Sequence, residues 1–144
     1  MKENRNEVII KAPAERVWEV LTNLEGYAGW NPLLYRGQGK VEPGATVEVS
    51  AKTASKDMKF TCKVVKFDPC RELAWTFHVI HPVLFRGEHI FTLEPIDEQT
   101  VRLIDRERFE GLLLPMQARD LETNGLDGMV AMGEALQSLF EREN

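Results

Sequence analysis

Positive charge is in short supply here. Lysine and arginine number 18 against 23 aspartates and glutamates, for a net charge of -5. A nucleic-acid-binding domain would usually show a basic patch and a high pI, so that class is disfavoured. Long apolar runs are missing too, and nothing approaches the ~20 residues a membrane span needs. The opening stretch MKENRNEVIIKAP has no apolar h-region. No signal peptide is therefore expected, and the cytoplasm is the expected location. There are 2 cysteines, Cys62 and Cys70, at opposite ends of one predicted strand. Without metal-ligand spacing and in a reducing compartment, both read as packing residues. No nucleophile motif and no phosphate-binding glycine loop occurs. His78, His81 and His89 are near one another in sequence, but their spacing crosses a turn. Neither a metal nor a cofactor is expected.

What remains is an ordinary globular composition, 43% hydrophobic and 28% charged over 144 residues. This is the size of one domain, taken as 1–144. Glu7 to Lys11 reads as a β-branched strand. After Ala12-Pro13, the apolar residues Ala14, Val17, Trp18, Leu21 and Leu24 mark one face of a helix that Gly26 ends. A short segment, YAGW, runs to Asn31-Pro32, where Asn31 is expected to cap or turn the backbone. Strands are then predicted over Leu34–Lys40, Ala45–Lys52, Met58–Phe67, Glu72–Ile80, Phe85–Glu94 and Thr100–Glu110. Their separators include Glu42-Pro43-Gly44, Ser55-Lys56-Asp57, Asp68-Pro69, His81-Pro82 and Pro95, all with turn chemistry. Short connections imply an antiparallel meander. Leu126, Met129, Val130, Gly133, Leu136 and Phe140 form the stripe of a C-terminal helix, whose start is blurred by Gly125 and Gly128. Together these make an α+β domain with one sheet face buried on that helix.

Several stretches resemble a known family. VIIKAPAERVWEVLTNLEGYAGWNPLL is similar to the N-terminal signature of the polyketide cyclase/dehydrase-like branch of the START / birch-pollen-allergen (SRPBCC) superfamily. FRGEHIFTLEP and RERFEGLLLP resemble that branch's sixth and seventh strands. The resemblance implies a helix-grip fold: a curved seven-stranded antiparallel sheet around a long C-terminal helix, with two short helices between the first two strands. It also implies an elongated cavity between sheet and helix. Members bind lipids, sterols, hormones or polyketides there, and a minority catalyse ring closure or dehydration. The cyclases aim arginine and tyrosine into the cavity. Here Tyr27 and Tyr35 lie near the N-terminal turn and no arginine clearly points inward, which weighs against cyclase activity.

Strand alternation proposes an inward face. It holds Met58, Phe60, Cys62 and Val64, then Leu73, Trp75, Phe77 and Val79. Phe85, His89, Phe91 and Leu93 follow, and finally Val101, Leu103, Asp105, Glu107 and Phe109. A bulge would flip every assignment beyond it. Arg86, Arg106 and Arg108 fall on the opposite face, in solvent. His89 has three readings: a core residue bonded to Glu107 on the next strand, a ligand contact, or a general acid or base. Glu107 needs a partner inside an apolar interior, or else lines a cavity. Asp105 is placed near the strand's open end. Trp30 either anchors its turn or closes the cavity. Trp75 and Met129, with Met132 beside it, read as core or cavity wall.

The candidate ligand-binding residues are therefore Trp30, Phe60, Trp75, Phe77, His89, Phe91, Asp105, Glu107, Phe109 and Met129, with His89 and Glu107 the catalytic candidates. The leading expectation is a binding module for a small hydrophobic molecule, either a monomer or a weak homodimer. The alternatives are a cyclase/dehydratase-type enzyme and a partner-binding domain with a closed core.

Overall fold

The computed structural model describes residues 1–52 and 57–143. The Ser55-Lys56 part of an expected turn lies outside them. Seven antiparallel strands make one sheet in the order β1-β7-β6-β5-β4-β3-β2. They are β1 (Lys2–Ile10), β2 (Arg36–Gln38), β3 (Thr46–Lys52), β4 (Asp57–Asp68), β5 (Glu72–His78), β6 (Arg86–Asp97) and β7 (Thr100–Glu110). Strands β2 to β7 form the expected meander, and β1 returns to pair with β7. The sheet curves around a long C-terminal helix, which is the helix-grip architecture. No helix among the described residues is long and apolar enough to cross a membrane.

Helix α1 (Ala14–Thr22) forms where predicted and buries Val17, Trp18 and Leu21. Trp18 meets Phe67 edge-on, with ring centroids 5.4 Å apart. The helix stops at Asn23 rather than at Gly26. The Asn23 side chain accepts from Gly26 N and starts a separate 3-10 turn, Leu24–Gly29. Strand β2 is shorter than expected because its first residues serve another purpose. Asn31 Oδ1 accepts from the backbone N–H of Leu33 and Leu34, at 3.0 and 2.8 Å, and fixes a buried turn there.

Two bulges matter for facing. Pairing of β4 with β5 shifts between Val64 and Lys66, so Val65 and Lys66 both face outward and Phe67 packs inward. Pairing of β6 with β7 shifts only between Pro95 and Asp97. The register around His89 is therefore undisturbed, and His89 stands directly opposite Glu107.

The C-terminal helix starts earlier than expected. Helix α2 (Leu114–Asp120) passes through a π turn (Leu121–Gly125) into α3 (Leu126–Glu143). The buried stripe of α3 is Met129, Met132, Gly133, Leu136 and Phe140. Val130 lies outside it, at 37% exposure. Gly133 explains how α3 seats against β1. A Cβ there would stand 2.9 Å from both Val8 Cγ1 and Asn6 Nδ2, closer than packed atoms normally come. By contrast, neither α2 nor the π turn buries any residue.

Candidate functional site

A chamber of about 350 Å³ lies between the inner face of the sheet and the α2–α3 helix. Strand alternation supplies its floor. Phe60 on β4, Trp75 and Phe77 on β5, His89 on β6, and Glu107 and Phe109 on β7 all line it. The aromatic rings are in mutual contact: Phe60 and Phe77 centroids lie 5.0 Å apart, Phe77 and Phe109 6.4 Å, and Phe85 and Phe109 5.8 Å. The roof comes from Leu113, Gln117, Asp120, Leu121 and Asn124.

Four predicted site residues do not line the chamber. Phe91 and Met129 are fully buried in the core beneath it. Trp30 packs edge-on against Tyr27, with centroids 5.4 Å apart, and so anchors its turn. Asp105 sits behind His89, not at an open strand end, and is 4% exposed.

The pairing of His89 also differs from the expectation. Its Nε2–H donates to Asp105 Oδ1 at 2.5 Å, not to Glu107. The imidazole leans diagonally past its direct neighbour, a reach that cross-strand side chains commonly make. It stacks on Phe91 at 4.2 Å between centroids, and Trp75 meets its edge. This geometry leaves the Glu107 carboxylate facing the chamber, with no hydrogen bond or ion pair to any described residue.

The electrostatics follow from that arrangement. Burial works against a charged His89. The adjacent Asp105 and the nearby Glu107 carboxylates outweigh it, and the imidazole is held above its ordinary range. Glu107 is half-buried at the chamber wall, and burial raises its carboxyl to about 6. His89 pulls it down and Asp105 pushes it up, the smaller effects. Tyr27 is deeply buried, and its hydroxyl donates to Leu21 O at 2.6 Å. Burial and, secondarily, Asp105 hold its proton on. Among the described residues no group of three histidine, cysteine or acidic side chains is placed to hold a metal ion.

Sequence reading missed the polar roof. Gln117, Leu121 and Asn124 are spaced 4 and 3 apart, one face of a helix. That spacing would have revealed them had the segment after GLLLP been read as helical. Lys52, at the end of β3, was also missed. It reaches the chamber's edge and stands over the Tyr35 ring, 5.7 Å from its centroid.

The fold is shared with several solved structures. A protein of Mesorhizobium loti superposes with a TM-score of 0.79 at 24% identity, over 99% of each chain. The Zhui aromatase/cyclase of a Streptomyces species gives 0.76 at 21% identity, over 98% of this chain and 94% of that one. A START superfamily protein from Mycobacterium smegmatis gives 0.77 at 17% identity, over 99% of each. At these identities the likeness is one of fold. No curated protein is similar enough in sequence to count as a match. The family described as "Polyketide cyclase / dehydrase and lipid transport" matches residues 1–142. With that match running nearly end to end, the chain belongs to the polyketide cyclase / dehydrase and lipid transport family.

Proposed function

We propose that this protein is a binding module that encloses one small, mostly apolar molecule between its sheet and its C-terminal helix. The observation that carries this reading is the chamber itself. About 350 Å³ lies at the small end of the ~300–1,000 Å³ typical of ligand pockets. Its walls are largely aromatic and aliphatic, with a few polar groups on floor and roof, as in pockets that orient a ligand. The partner-binding alternative called for a filled interior and so lacks its supporting observation.

Binding is tested by two-dimensional NMR titration with aromatic, flavonoid, fatty-acid and sterol ligands, alongside native mass spectrometry of freshly purified protein. Shifts confined to β4–β7 and the α2–α3 helix support the reading. A folded protein with no shifts and no co-purified mass refutes it.

A second reading has one specific observation in its favour. A carboxyl raised to about 6 can take up or release a proton near neutral pH, which suits general acid–base work in a water-poor chamber. Glu107 would then accept a proton from the substrate, with His89 held in place by Asp105. Turnover of a polyketide-like substrate that vanishes in Glu107→Gln would support this reading. Binding without turnover leaves the protein a carrier or sensor.

A further inference from the structure

We infer that the molecule this chamber is built to hold is an organic cation, an amine carried on an aromatic body. The inference rests on the binding reading above and specifies its ligand class.

The first argument is a count of charges around Glu107. From β6, His89 faces it, and its Nε2 is committed to Asp105. From β1, the direct neighbour of Glu107 is Asn4, whose side-chain N–H donates to Leu121 O. The roof offers Gln117, Asp120 and Asn124, and Asn124 donates to Asp120. The arginines flanking Glu107 on its own strand are turned to the other face. Arg106 lies 3.9 Å from both Glu3 and Glu72, and Arg108 reaches Met1 Sδ. Lys52 is exposed at the chamber's edge. Asp105, Glu107 and Asp120 thus stand against two cations, the His89 imidazole, which already has its partner, and Lys52, which stays exposed at the edge over the Tyr35 ring. Glu107 is the surplus anion.

A half-buried carboxylate without a counter-charge is costly, and the cost falls when a cation arrives. The second argument is the wall beside it. Phe109 follows Glu107 by two residues on the same face, in contact with Phe77 and Phe85. Aromatic rings around a carboxylate are the usual means of holding an ammonium group and the apolar body attached to it. A neutral alcohol would donate one hydrogen bond and leave the charge uncompensated. An acid would be repelled by both Glu107 and Asp120.

The test is calorimetric titration with three probes sharing one body: naphthylmethylamine, naphthylmethanol and naphthoate. At about pH 8 the amine should bind roughly tenfold tighter than the alcohol, about the effect expected of one good ionic contact, with naphthoate weakest. Because Glu107 titrates at about 6, the amine's affinity should fall about tenfold between about pH 8 and about pH 5. The alcohol's should not. Glu107→Gln should erase the amine's advantage and flatten its pH profile. Equal or tighter binding of the alcohol or of naphthoate by the native protein overturns the cation inference and leaves the chamber's binding role standing. So does an amine preference that persists in Glu107→Gln. If folded protein binds none of the three, the cation inference falls, and silence across the wider NMR panel then removes the binding role as well.

Discussion

Replacing Glu107 by glutamine should make the protein more stable, and the gain should depend on pH in a defined way. Burial raises this carboxyl from 4.5 to about 6. The folded protein therefore prefers the neutral form by about 2 kcal/mol more than the unfolded chain does. Below about pH 4.5 the group is protonated in both states and costs nothing. As pH rises from about 4.5 to about 6 the unfolded chain ionises while the folded protein keeps its proton, so stability is lost across that window, and above about 6 the full cost of the unpartnered charge stands. Glutamine keeps the shape and has no charge to carry. For a chain of this size, about 2 kcal/mol corresponds to roughly 4–8 °C in Tm. Thermal unfolding of both proteins, followed by circular dichroism from about pH 4 to pH 8, is the assay. The two should melt together at the acid end and separate at the neutral end, with Glu107→Gln the higher. A variant that melts lower at pH 8, or that gains equally at pH 4, would refute the account of Glu107 as an unpaired, half-buried carboxylate.

Asp105→Asn should act in the opposite sense, because it removes the partner of a buried imidazole. A loss of about 1.5–3 kcal/mol is expected, and it should deepen as pH falls through the range, above that of a free imidazole, where native His89 takes up its proton beside Asp105; a chemical-denaturation series across pH reads this directly. Thiol titration at about pH 8 should modify Cys70 well before Cys62, since burial pushes the Cys62 thiol up to about 12 and keeps it from solvent. Equal rates would contradict the packing at β4. Gly133→Leu should cost about 1–3 kcal/mol by overpacking the contact of α3 with Val8 and Asn6; hydrogen exchange should show faster opening of β1 and α3 together.

The floor of the site was legible in the sequence for a simple reason. On β5, β6 and β7 an apolar residue, or His89, Asp105 or Glu107, falls at every second position on one face apart from Gly87, and no bulge interrupts that stretch. Alternation is a property of the backbone, so it can be read without coordinates. Which carboxylate takes the imidazole is a property of side-chain rotation. Glu107 is nearer in register, yet His89 turns to Asp105 and Phe91. The roof was hidden for a different reason. Helical periodicity shows itself through an apolar stripe against a core. Gln117 and Asn124 face a chamber instead, and the residues around them stay exposed, Met116 at 77%. The bulge after Val64 shows in the sequence only as Lys66 and Phe67 standing at positions where strict alternation would place each on the wrong face.

The contrast between the two ends of the C-terminal helix has an evolutionary consequence. From Met129 onward the helix is tied into the core, and substitutions there are judged by whether the chain folds. From Leu114 to Gly125 it buries nothing, while presenting side chains to the chamber. Substitutions in that half can accumulate at little cost to folding and change the shape and polarity of the chamber. One continuous helix thus joins a half whose substitutions are paid for in folding to a half of about a dozen residues that can change at little cost to it.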